Sequence, residues 1–169
     1  ARDELGHAQA RVEGVTHEIA RWGGDAFDAR LSVAELVARC PFSRFAGYDR
    51  WLAAGGDVTL VLPDGPHPLT RGEALAFAGE LDVVGEPSAP TWDLNVMVRR
   101  GVAWSAAVVR ERTERTMAAG VTALFALGDG AVVDVAGQRV QLPARATLLA
   151  TSSTGFVVSV EASTMAPVA

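Results

Sequence analysis

Two short stretches carry the residue types that could do chemistry. Residues 41–51 read PFSRFAGYDRW and residues 93–101 read DLNVMVRRG. In the first, Ser43, Arg44, Asp49 and Arg50 are the polar elements among Phe42, Phe45, Tyr48 and Trp51, and Gly47 permits a tight turn. This reads as a loop anchored by aromatics, with Ser43 and Arg50 as groups able to face a pocket. Ser43 stands in no Gly-x-Ser-x-Gly elbow and has no local base, so nucleophilic catalysis is not the chemistry implied. In the second stretch a strand period puts Asp93, Asn95, Met97 and Arg99 on one side and Leu94, Val96 and Val98 on the other. From pattern alone this is a half-buried strand with its polar face in water. Turned inwards, the same face would offer the Asn95 amide as donor and acceptor and Arg99 as a two-pronged carboxylate clamp. Arg99 would then need Asp93 or another acid as its counter-charge.

The elements that must position these residues read as short strands. Apolar and polar residues alternate between Gly, Pro and Asp turns, the pattern of a β-sandwich or barrel, and no long amphipathic helix is evident. Over residues 15–22, Thr16, Glu18 and Ala20 share one face and Val15, His17 and Ile19 the other. Over residues 29–37, Arg30, Ser32 and Ala34 oppose Leu31 and Val33, with a turn expected at Gly23 and Gly24. Residues 58–77 and 132–150 each read as strand, turn, strand, turn, strand, a weak internal repeat that suggests two related β halves. Residues 110–116, RERTERT, suit a solvated edge strand or a connector, and the tail after residue 162 is expected to be loosely held.

The bulk numbers bound the function. With 169 residues the chain can bury a substantial core, and 49% hydrophobic content with 17 glycines and 8 prolines suits a turn-rich globular protein. A net charge of −5 leaves no basic footprint for nucleic acid and no attraction to anionic membranes. No apolar run approaches the roughly 18 residues of a membrane span. No signal-peptide pattern is visible, and the absence of an initiator Met leaves a trimmed N-terminus open. The expected location is cytoplasmic. Cys40 is the single cysteine and reads as a small half-buried hydrophobe rather than a thiolate nucleophile. The three histidines, His7, His17 and His67, lack the two-residue spacing that would put two imidazoles on one strand face, and His67 sits between prolines in a turn. Neither a metal nor any other cofactor is therefore expected.

Four segments in order, GVTHEIA (14–20), RLSVAEL (30–36), PFSRFAGYDR (41–50) and DLNVMVRRG (93–101), resemble the HutD/Ves family, a group of small cupin-fold bacterial proteins associated with histidine utilisation. The resemblance runs through nearly the whole chain. It implies an all-β fold with few helices: a two-cupin-like (RmlC-like jelly roll) β-barrel or sandwich forming one domain, with halves at approximately 12–105 and 106–162. It also implies a small-molecule binder or regulator rather than an established enzyme. The ligand-binding candidates it suggests are Thr16, Glu18, Arg30, Ser32, Ser43, Asp49, Arg50, Asn95, Met97 and Arg99. This chain departs from relatives in having QARVE (9–13) where a Trp-x-Asn-Gly-Gly lead-in is usual. Ala29 stands in place of an aromatic, Cys40 in place of a glycine and Ala46 in place of a proline. The reading that follows is a non-enzymatic sensor of a small carboxylate from histidine breakdown, with Arg30, Arg50 and Arg99 as carboxylate partners and binding lost on Arg99→Ala. The alternative is a cofactor-free isomerase or hydrolase with Glu18 or Asp49 as general base. A third is a structural module without a ligand. A homodimer through an open sheet edge is compatible with the pattern.

Overall fold

The computed structural model describes residues 15–162, and all regular structure among them is strand. The chain divides into two compact units, with the boundary between Trp104 and Ser105. His7, the 9–13 lead-in and the tail from residue 163 lie outside the described residues.

In the first unit, β1 (Thr16–Trp22) and β2 (Ala29–Leu36) form an antiparallel hairpin around the expected Gly23–Gly24 turn. There follow β3 (Cys40–Pro41), β4 (Tyr48–Ala54), β5 (Val58–Leu62), β6 (Gly65–Leu69), β7 (Ala74–Ala78), β8 (Val84–Pro87) and β9 (Thr91–Arg99). They assemble into a five-stranded sheet of order β1-β2-β9-β4-β7 and a four-stranded sheet of order β3-β8-β5-β6. All pairings are antiparallel. Leu36, Leu52, Ala54 and Phe77 of the first sheet pack with Val58, Leu60, Leu62 and Leu69 of the second in one buried cluster that also takes in Val83. Each leucine buried there contributes about 2 kcal/mol. Within the five-stranded sheet the end of β4 packs tightly on β9: Gly55 N–H donates to the Trp92 carbonyl, and a Cβ on Gly55 would lie 2.3 Å from the Trp92 ring.

Three local readings need correction. Residues 48–51 are not loop: Gly47, at φ +83°, completes the turn and β4 begins at Tyr48. His67 lies in strand β6, whose position at the sheet edge tolerates Pro66 and Pro68 because no second neighbour needs their missing N–H groups. The hairpin β1–β2 carries a bulge: Glu18 pairs with Ser32, but Ala20 then pairs with Leu31 and Arg21 with Arg30. Beyond Ile19 the faces of β1 therefore exchange, and Arg21 rather than Ala20 joins Glu18.

In the second unit, β10 (Thr113–Met117), β11 (Gly120–Phe125), β12 (Gly130–Val135), β13 (Gln138–Pro143), β14 (Thr147–Ser152) and β15 (Phe156–Ala162) form sheets of order β10-β15-β12-β13 and β11-β14. These orders match, strand for strand, β3-β8-β5-β6 and the β4-β7 pair of the first unit. Val133, Leu142 and Val158 are its most buried side chains together with Ala126 and Thr122. The charged segment 113–117 does form an edge strand, β10. Among the described residues the sheets of neither unit join into a closed barrel; the arrangement is sandwich-like.

Candidate functional site

The register of the five-stranded sheet decides which side chains meet. Reading across it, Glu18 pairs with Ser32 and Ser32 with Asn95, while Arg30 pairs with Met97 and Met97 with Arg50. Arg50 in turn pairs with Phe77, and Asp93 stands between Ala34 and Ala54. Residues paired across a ladder share a face, so this inner face holds Glu18, Arg30, Ser32, Arg50, Asp93, Asn95 and Met97 together. It is also the face that carries Leu36, Leu52 and Ala54 into the core.

The outer residues of β9 are no more exposed than the inner ones. Leu94 and Val98 are buried, as are Asp93, Asn95 and Met97. The reading of a half-buried strand with a polar face in water is thus replaced by a strand buried on both faces, and the polar groups of its inner face must find partners inside the protein.

Those partners are incomplete. Arg50, 5% exposed, donates from Nη1 to the Ser43 carbonyl at 3.1 Å. Its guanidinium carbon lies 5.2 Å from the Phe42 ring centre and 5.1 Å from that of Phe77. The two rings supply apolar walls and a favourable cation–π field. Among the described residues Arg50 Nε has no acceptor, and neither does Arg30 Nε, which stands 3.4 Å from a Glu18 oxygen without alignment for a hydrogen bond. Asp93 is completely buried, and among the described residues neither of its carboxylate oxygens has a donor; Asn95 Oδ1 is likewise without one. Burial pushes the Asp93 carboxyl up to about 7 against the opposing pull of Arg50. Arg50 is brought down to about 10, by burial first; Asp93 resists this and Arg30 adds to it. The Cys40 thiol is raised by burial and by the charge of Asp93. Glu18 is held low, chiefly by the hydrogen bond from Arg21, whose Nη2 lies 2.8 Å from Oε2.

Several candidates do not join this group. Thr16 follows the same face but is exposed at the start of β1. Ser43 is exposed and contributes only its main-chain carbonyl. Asp49 points the opposite way from Arg50, as adjacent residues of a strand must, and pairs with Arg100 at 3.1 Å. Arg99 is the last residue of β9; its side chain is 51% exposed and its acid is Asp28 rather than Asp93. The polar residues that sequence reading left off the list are Asp93 and Arg21. An Asp set between Trp92 and Leu94 in an otherwise apolar run was the signal for the first. The bulge that recruits Arg21 left no mark in the sequence.

Cupin folds commonly house a metal ion, but these residues do not fit one. Two guanidinium groups sharing the face repel a cation, and among the described residues no three His, Cys, Asp or Glu side chains gather as ligands. The arrangement instead suits a small anionic or polar molecule: guanidinium donors, carboxyl and amide acceptors and aromatic walls converge without satisfying one another. No helix among the described residues is long and apolar enough to cross a membrane.

The fold and this face define a cupin-like protein with an arginine-lined interior. A cupin 2 conserved-barrel protein from Leptotrichia buccalis aligns over 89% of this chain and 84% of its own, with a TM-score of 0.57 at 10% identity, a likeness of fold. The sequence matches the HutD family model over residues 11–166, and the chain belongs to that family, which is linked to histidine utilisation. HutD from Pseudomonas fluorescens SBW25, in a formate condition, aligns with a TM-score of 0.61 at 25% identity over 88% of this chain and 83% of that one. A conserved protein of unknown function from Pseudomonas aeruginosa PAO1 aligns at 0.71 and 29% over 86% and 89%. An uncharacterised 21.2 kDa protein from the region 3′ of hutC in Pseudomonas putida is 41% identical over 76 residues, which is 41% of this chain and 40% of that protein.

Proposed function

We propose that this protein is a non-enzymatic, cytoplasmic binding protein that senses a small carboxylate arising in histidine breakdown, such as urocanate or an N-substituted glutamate. Arg50 carries the reading: a guanidinium 5% exposed, set between the Phe42 and Phe77 rings, with Nε lacking an acceptor among the described residues. Leaving such a donor buried and unpaired costs about 1–3 kcal/mol, which a bound carboxylate would recover. Arg30 supplies the second guanidinium and Asn95 orients the ligand, while Met97 contributes apolar wall. The histidine-utilisation link of the family directs the choice of acids, and formate enters because a relative was described in its presence.

The test is a thermal-shift titration with histidine, urocanate, formylglutamate, glutamate and formate, repeated on Arg50→Met. An acid at one hundred times its dissociation constant adds about 2.7 kcal/mol and raises the midpoint visibly. The expected result is a selective rise with one acid that disappears in the variant. No rise with any of them, or an equal rise in the variant, overturns the proposal.

A cofactor-free enzyme is the second reading, and one observation favours it: Asp93, a buried carboxyl raised to about 7, has the character of a general base. Glu18 is held low by Arg21 and lacks that character, and Asp49 faces away from the interior and pairs with Arg100. Turnover of a bound acid that is lost on Asp93→Asn would favour this reading over simple binding.

A further inference from the structure

The interior face holds a fully buried acid that the carboxylate reading leaves unused. Asp93 is completely buried on β9, its cross-strand neighbours are Ala34 and Ala54, and neither oxygen has a donor among the described residues. Arg50 from β4 is the charged group that acts on it, and the charge of Asp93 adds to burial in raising the Cys40 thiol of β3 on the facing sheet. Asn95 lies two residues along β9, Glu18 on β1 shares the face, and Arg30 on β2 bears on Arg50. Among the described residues, Arg50 is therefore the positive charge that favours ionised Asp93.

We propose that Asp93 is a ligand-binding residue that works as a neutral acid, so that an anionic ligand enters this site together with one proton. This rests on the carboxylate reading. A ligand carboxylate beside Arg50 takes over its field and places a second negative charge next to Asp93. Two carboxylates sharing one site cannot both stay ionised at ordinary cost, so the weaker acid takes a proton from solvent. Asp93 is that acid. Its carboxyl already titrates near neutrality, whereas an exposed small carboxylic acid remains ionised there. Once protonated, Asp93 offers an O–H that can be donated to a ligand oxygen, which cures both its own unpaired state and the repulsion. The balance is simple: one proton leaves the buffer acid and ends on an Asp93 carboxyl oxygen, with no other bond made or broken.

The site therefore responds to two solutes at once, the carboxylate and the proton. Affinity weakens as pH rises through and above neutrality, by up to about tenfold per unit, although the ligand's own charge is constant.

The experiment is isothermal titration calorimetry of the full chain with formate and with N-formylglutamate, both fully ionised from pH 6 upwards. Each titration is run at pH 6, 7 and 8 in two buffers of different ionisation enthalpy. The expected result is an uptake approaching about one proton per ligand at pH 8 and a Kd that rises with pH. Asp93→Asn should still bind, with no uptake and a flat Kd over the same range. Binding of either acid without proton uptake sinks this proposal and leaves the carboxylate reading standing. No binding heat with either acid at any pH sinks this proposal, and the carboxylate reading falls with it only if the full panel of acids also fails to raise the melting midpoint. Uptake that persists unchanged in a folded Asp93→Asn protein assigns the proton elsewhere and also refutes it. The wild-type titrations decide the matter alone should the variant fail to fold.

Discussion

Replacing Asp93 by Asn should change how the stability of the first unit depends on pH, with no ligand present. The Asp93 carboxyl is raised from an ordinary 3.8 to about 7 because folding removes it from water. Below about pH 4 it is protonated in both states and costs nothing. As pH rises towards 7 the unfolded chain releases the proton while the folded protein retains it, so stability falls. Above about 7 both states are ionised and the fall levels off. A rise of roughly three units at about 1.36 kcal/mol each amounts to about 4 kcal/mol, most of it spread between pH 4 and 7. Glu18, Asp64 and Glu80 are shifted the other way by their cationic or histidine partners, so their contributions are present above the ordinary carboxylate range and fade only in acid. The measurement is urea unfolding followed by tryptophan fluorescence at pH 5, 6, 7 and 8. All four tryptophans, Trp22, Trp51, Trp92 and Trp104, belong to the first unit, so the signal reports that unit by itself. Wild type should lose on the order of 2 kcal/mol between pH 5 and 7, and Asp93→Asn should lose far less. Asn brings its own unpaired amide, so the slope and not the absolute stability is the diagnostic quantity. Parallel slopes in the two proteins would refute the assignment of Asp93 as a buried, near-neutral acid.

Three further outcomes follow from the same geometry. Arg50→Lys keeps the charge but loses the planar fork between two rings, and should weaken carboxylate binding by about 2 kcal/mol, roughly thirtyfold in Kd by calorimetry. Arg99→Ala removes an exposed pair with Asp28 and should alter the urea midpoint by less than about 1 kcal/mol. It should also leave ligand affinity within about threefold, in contrast to the loss expected from sequence; abolished binding would return Arg99 to the site. Gly55→Ala forces a methyl group to within 2.3 Å of the Trp92 ring and should destabilise the first unit by about 1–3 kcal/mol, seen as a lowered melting temperature with the tryptophan emission perturbed.

The sequence by itself determined that this is an all-β chain, since period-two alternation and Pro/Gly/Asp turns are local properties that survive without knowledge of neighbours. The strand-turn-strand-turn-strand pattern of residues 58–77 became β5, β6 and β7, and that of 132–150 became β12, β13 and β14. Four ordered segments were also enough to point to the family that the match over residues 11–166 establishes. The candidate site was legible in part, because Arg30, Ser32, Asn95 and Met97 stand at alternate positions of strands whose phase could be read. What the sequence could not supply was register. Whether Arg50 faces Met97 and Phe77, whether Asp49 turns away, and whether Arg99 ends in solvent beside Asp28 depend on which strands pair and where each begins. The bulge after Glu18 exchanges faces without any residue that announces it. The charge state of Asp93 was the least legible feature. A carboxyl becomes a near-neutral acid only when distant parts of the chain, here β2, β4 and the strands of the facing sheet, enclose it and leave it no donor, and that is decided by tertiary structure alone.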